Sequence, residues 1–100
     1  MSDEFNEQFV QLVIGLQTMA WAALGKQKNQ ITGKVEVNLA AAKDSIDTLE
    51  MLKKKTRGNL SEAERGLLHN SLQDLELNFI ELKKKEEDKK KGNHEKQEKQ

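Results

Sequence analysis

Apolar residues recur at helical spacing in three separate segments of this chain of 100 residues. In the first segment, from about Phe5 to Leu24, steps of four and three residues predict one face of an α-helix. This stripe consists of Phe5, Phe9, Leu12, Leu16 and Met19. A second set widens the apolar surface, so we expect the helix to be covered on two sides; its members are Val10, Val13, Ile14, Ala20 and Trp21. Gly25 is suited to end the helix in a left-handed conformation.

A polar connector follows, from Lys26 to Gly33. Val35 and Val37 then alternate with polar residues, which is compatible with a short strand or with an extended lead-in to the next helix. Because the chain has no second strand pattern, a strand here would have to pair with another copy of itself. We therefore favour the extended lead-in.

The second helix is predicted from Leu39 to about Arg57, with Asn38 as its N-cap and Gly58 as its stop. One face of it carries Leu39, Ala42, Ile46, Leu49 and Leu52.

The third helix has the clearest start signal, because Ser61 and Glu64 have the spacing of a capping box. Its apolar stripe is Leu68, Leu72, Leu75, Phe79 and Leu82, and Leu67, Leu77 and Ile80 lie beside that stripe. The short corner from Gly58 to Ser61 makes the second and third helices neighbours, with the first helix lying across both. The sequence therefore predicts an all-α fold, a small antiparallel three-helix arrangement.

After Leu82 the apolar pattern stops and blocks of like charge begin. Opposite charges three and four residues apart can extend a helix into solvent, here to about Gly92. From Asn93 to Gln100 we expect disorder. The predicted organisation is a helical domain over residues 1–82 and a charged, partly disordered C-terminal extension over residues 83–100.

The composition supplies few groups for chemistry. The chain has no cysteine, no tyrosine and two histidines, so disulfides, thiolate zinc sites and cysteine nucleophiles are excluded. We interpret His69 and His94 as solvated histidines, and the carboxylate pairs Asp44/Asp47 and Glu62/Glu64 as solvated helix faces. The sequence thus predicts no catalytic residue, no metal site, no cofactor and no enzymatic activity.

The apolar run from Phe9 to Leu24 superficially resembles a secretory signal. Acidic residues and no lysine or arginine precede it, whereas a signal peptide has a basic n-region. Gln11 and Gln17 also interrupt it as a membrane span. We expect no membrane span and a cytoplasmic location.

Two functional interpretations remain. The first is a small interaction protein that forms a homo-oligomer, or binds a protein partner, through Val10, Ile14 and Trp21 of the first helix. The alternative is an RNA- or ribosome-associated role, in which Lys53, Lys54, Lys55 and Arg57 contact phosphate, together with the basic tail. We rank nucleic acid lower, because no aromatic residue lies nearby to stack on a base and glutamates flank the basic run.

Three stretches resemble a bacterial family known as domain of unknown function 1844. They read QTMAWAALG, TGKVEVNL and SIDTLEMLKKKTRGNLSEAE, and the last is the most specific. The resemblance covers about Phe5 to Leu82 and implies a small bacterial cytoplasmic helical protein without an assigned activity, so no functional residues carry over. The chain departs from the family pattern by lacking a proline shortly before Thr32 and Gly33.

Overall fold

Three α-helices make up the fold of this protein. The computed structural model describes the backbone of residues 4–99 and the side chains of residues 4–89. The helices are α1 (Glu7–Ala23), α2 (Leu39–Lys55) and α3 (Glu62–Lys99). Within residues 4–99 there is no strand, and a single antiparallel bridge joins Leu24 to Val37. The prediction of an all-α fold is confirmed.

Side-chain caps begin the helices where the sequence predicts them. The Asn38 Oδ1 atom accepts a hydrogen bond from the Ala41 amide at 3.0 Å, which caps α2. The Ser61 Oγ atom accepts from the Glu64 amide at 3.1 Å, and the Glu64 carboxylate accepts from the Ser61 amide at 3.0 Å. These reciprocal bonds satisfy two amides that the helix itself leaves unpaired, so the capping box is confirmed.

The order of the helices is up, down, up. The Asn38 amide donates to the Ala23 carbonyl at 2.8 Å, which brings the end of α1 to the beginning of α2. The Gln17 side chain of α1 accepts a hydrogen bond from Ser71 of α3 at 2.9 Å. Consecutive helices are therefore antiparallel and α1 contacts both of the others, as predicted.

The core forms where the three helices meet. Its members from α2 and α3 belong to the predicted stripes, and Phe79 and Leu82 pack against it. The buried apolar residues are Val13, Ala20, Leu24, Ala42, Ile46, Leu49, Leu68, Leu72 and Leu75.

The predicted stripe of α1 is only partly covered. Phe9 and Leu16 of the stripe pack against the core, whose fully buried residues, Val13 and Ala20, come from the second apolar set. Leu12 and Met19 of the stripe are 49% and 61% exposed. Apolar residues surround most of α1, so their spacing alone does not determine which side faces inward. The positions of α2 and α3 make that choice.

In the structure the connector between α1 and α2 runs from Lys26 to Val37 and forms a compact loop without a strand. Val37 makes a bridge to Leu24 of the same chain and belongs to no strand within it, so the extended lead-in describes its conformation in the single chain. Gly25 has φ +79, and a Cβ built there would lie 2.8 Å from the Val37 Cγ2 atom. Gly25 thus provides both the left-handed turn and the space for Val37.

The third helix extends past Gly92, where the sequence predicted its end, and reaches Lys99. The structure does not describe the side chains from Lys90 onward. Those of Asn93 to Gln100, the stretch for which we predicted disorder, therefore lie outside the described residues. In the described part of the chain no helix is long and apolar enough to cross a membrane.

Candidate interaction surface

The interface residues predicted from the sequence lie on the side of α1 that faces α3. Val10, Ile14 and Trp21 share one side of the helix with Gln17, because they follow it and each other in steps of three and four residues. Gln17 is hydrogen-bonded to Ser71 of α3. Val10 is half-buried and Trp21 packs against the core, while Ile14 remains 50% exposed. Much of this side is therefore covered within the chain.

The opposite side of α1 is more open. Leu12 and Met19 lie there, seven residues apart and thus two helical turns along one side. The only charged residue in the whole of α1 is Glu7, in its first turn. Apolar side chains without neighbouring charges are the composition found at the centres of protein interfaces.

A groove of about 540 Å³ borders this open side, between the second half of α1, the connector and the first half of α2. We call it the connector groove. Six of the fourteen residues that line it are glycine or apolar, namely Gly15, Met19, Ala22, Ala23, Ile31 and Ala41. A Cβ built on Gly15 would have no heavy atom within 4 Å, so the space in front of this glycine is open.

Ile31 stands at the edge of the groove with 95% of its surface exposed. Asn29 holds the surrounding loop, residues 29–34, which we call the Asn29 loop. The Asn29 Oδ1 atom accepts from the Ile31 amide at 2.8 Å and from the Thr32 amide at 3.2 Å. The Asn29 backbone also bonds to Gly33 and Lys34, at 2.7 and 2.8 Å. The isoleucine is therefore presented on a loop of defined shape.

Three charged side chains also line the connector groove. Lys28 and Glu36 belong to the connector, and Asp44 belongs to α2. Charges of both signs thus surround an apolar centre. The sequence did not indicate this site, because Ile31 is the one apolar residue between Lys26 and Gly33.

Glu64 is buried, and its hydrogen bonds explain why. Besides the capping box, its carboxylate accepts from the Asn6 amide at 2.6 Å, and Ser61 donates its hydroxyl to the Glu4 carbonyl. The hydrogen bonds from the Ser61 and Asn6 amides lower the pKa of Glu64. This carboxylate links the start of α1 to the segment before α3, and its role is structural.

A second carboxylate pair, Glu50 of α2 and Glu76 of α3, was not predicted. A hydrogen bond that protonated Glu76 donates to Glu50, partial burial and the negative charge of Glu50 raise the pKa of Glu76, and Lys53 opposes the shift. Neither residue lines the connector groove. Among the described residues, no group of three or more His, Cys, Asp or Glu side chains is arranged to hold a metal ion.

The basic residues predicted to contact phosphate are not gathered into one site. Lys53 is half-buried and lines a shallow depression with Arg65 and His69, whereas Lys54, Lys55 and Arg57 are exposed outside it. Successive residues of a helix point in different directions, which separates the three lysines. Arg65 also pairs with Glu62.

Comparison with known proteins identifies a family. The model described as "Domain of unknown function (DUF1844)" matches residues 6–81. No curated protein and no solved structure matches the chain.

Proposed function

We propose that this chain, a member of the DUF1844 family, is a non-catalytic interaction protein that self-associates through α1. The observation that carries the proposal is the open side of α1, where Leu12 and Met19 are exposed and α1 itself contributes no charged side chain after Glu7. We locate the contact on this side because Val10 and Trp21 are already partly covered in the single chain. A bacterial cytoplasmic setting is part of the proposal and rests on the family resemblance.

The magnitudes favour a contact larger than two side chains. Complete burial of a leucine or methionine contributes about 1.5–3 kcal/mol, so the exposed parts of Leu12 and Met19 contribute a few kcal/mol per copy. Association costs about 4–15 kcal/mol in lost translational and rotational freedom. In a two-fold contact both copies bury the same residues, so the free energy gained by burial doubles. Further apolar surface is still needed, and the adjoining connector groove is the nearest source.

Sedimentation velocity over a concentration series tests the proposal. We expect the wild-type chain to sediment as a dimer and the Met19→Lys variant to sediment as a monomer with an unchanged helical circular dichroism spectrum. The matched control is Met51→Lys, because Met51 is a 45% exposed methionine on α2 outside the groove. A wild-type monomer at every concentration would refute self-association. Equal effects of the two lysines would refute the location on α1.

The second candidate function is binding to RNA or the ribosome through the basic residues at the end of α2, namely Lys53, Lys54, Lys55 and Arg57. What supports it is the depression in which Lys53 meets Arg65 and His69. The opposing interpretation is that lysines in the last turn of α2 stabilise the negative end of the helix dipole. Phosphate contacts lose affinity steeply with added salt. The candidate fails if the chain is not retained on RNA at low salt. It also fails if glutamine at all four positions, Lys53, Lys54, Lys55 and Arg57, leaves retention unchanged.

A further inference from the structure

We propose that the self-association is reciprocal: Ile31 of one copy enters the connector groove of a second copy, beside Met19, and the second copy returns the same contact. This inference rests on the proposed function and specifies its geometry.

The first element is Ile31, a large apolar side chain that is 95% exposed. A single exposed apolar residue is ordinary on a protein surface. The loop that carries Ile31 is held by four hydrogen bonds that involve Asn29, and one of them comes from the Ile31 amide itself. A loop already fixed in shape loses little further conformational entropy when it binds, which favours its use as a contact.

The second element is the space that receives it. The connector groove measures about 540 Å³, and its wall includes the small residues Gly15, Ala22 and Ala41. The space in front of Gly15 is empty. Ile31 itself lines the edge of this groove, so the protruding side chain and the groove lie on one face of the chain.

These two elements select a second copy as the occupant. A face that carries both a protruding side chain and an adjacent groove complements itself under a two-fold axis, since each copy gives and receives the same contact. The charges are compatible with this symmetry. Lys28 and Glu36 lie on the connector wall and Asp44 on the α2 wall, so the lysine of each copy can face a carboxylate of the other. A single sign of charge around the groove would instead repel an identical chain.

Disulfide cross-linking tests the geometry directly, because the natural chain has no cysteine. An Ile31→Cys chain is mixed with a Met19→Cys chain and oxidised. The control is the same Ile31→Cys chain mixed with Met51→Cys. We expect the mixed 31–19 dimer to exceed the 31–51 dimer by at least tenfold at matched concentrations. Equal yields would overturn the inference.

A glycine substitution gives a second test in which folding and association respond in opposite directions. Gly15→Leu places a side chain in the open space of the groove and also replaces a poor helix former. We expect the Tm to be maintained or raised while the dimer Kd rises at least tenfold. The matched control is Gly66→Leu in α3, where a Cβ also meets nothing within 4 Å, and there the Kd should not change. An unchanged Kd for Gly15→Leu would overturn the inference.

The outcomes separate the two proposals. If the wild-type chain is a dimer but the 31–19 disulfide is not preferred, self-association is supported and the reciprocal geometry is refuted. A wild-type chain that is monomeric throughout the concentration series removes both.

Discussion

Replacing Gly25 and Gly58 by alanine, one at a time, separates two demands that the fold makes on glycine. Both residues have left-handed backbones, with φ +79 and +85. A Cβ at Gly58 would meet no heavy atom within 4 Å, whereas one at Gly25 would lie 2.8 Å from the Val37 Cγ2 atom. The first variant therefore measures the cost of the backbone conformation alone. The second measures the same cost together with a steric clash.

The expected magnitudes follow from these contacts. Holding alanine in a left-handed conformation costs about 1–2 kcal/mol. Forcing an extra methyl group against packed neighbours typically adds about 1–3 kcal/mol. We therefore expect Gly58→Ala to lower the free energy of unfolding by about 1–2 kcal/mol and Gly25→Ala by about 2–5 kcal/mol. In a domain of this size, 1 kcal/mol corresponds to a change in Tm of roughly 4–8 °C.

A double-mutant cycle identifies the clash. Val37→Ala removes the Cγ2 atom, and Val37 is half exposed, so this change alone should cost little. Combined with Gly25→Ala it should recover at least about 1 kcal/mol, whereas combined with Gly58→Ala the effects should be additive. Urea unfolding followed by circular dichroism provides the measurement. Equal losses for the two glycine variants, or no recovery with Val37→Ala, would refute this account of the connector.

Three further predictions concern charges and the C-terminal extension. The folded-state pKa of Glu64 is lowered, so its stabilisation is complete above the ordinary value of 4.5 and is lost as the pH falls below it; Glu64→Gln should reduce the acid dependence of Tm. The pKa of Glu76 is raised, so Glu76→Gln should raise Tm at pH 7, a gain that shrinks on acidification, while Glu81→Gln should have no such effect. Deletion of residues 83–100 should change neither Tm nor oligomeric state, because no apolar residue follows Leu82; a loss of several degrees would reveal packing by the extension.

Local signals in the sequence predicted where α2 and α3 begin. The capping box at Ser61 and Glu64 and the N-cap at Asn38 depend on residues three positions apart, and the structure confirms both. The stripes of α2 and α3 were also correct, since all the apolar core residues of these two helices belong to them. In these cases the physical cause lies within a few residues of its effect, so it can be read from spacing.

Features that depend on contacts between distant segments could not be predicted in this way. The second oxygen of the Glu64 carboxylate binds the Asn6 amide, 58 residues away in the sequence. The rotation of α1 about its own axis depends on where the two other helices lie. Apolar residues on several sides of α1 do not indicate which side faces those helices. The pairing of Glu50 with Glu76 likewise requires the register of α2 against α3. The connector groove belongs to the same class, since three segments form it.

The energetics of the connector favour the proposed reciprocal contact. Among its twelve residues, Lys26 to Val37, only Asn29 is even half-buried, and all the others are exposed. Fixing a backbone costs about 1–2 kcal/mol per residue, and the hydrogen bonds within the Asn29 loop each return about 0.5–1.5 kcal/mol. Burial of apolar side chains within the single chain adds no further stabilisation to these hydrogen bonds. If Ile31 enters the groove of a second copy, its burial contributes about 1.5–3 kcal/mol in each direction. The order of this loop and the stability of the dimer should therefore be coupled, and Asn29→Ala should weaken dimerisation while leaving the core of the three helices intact.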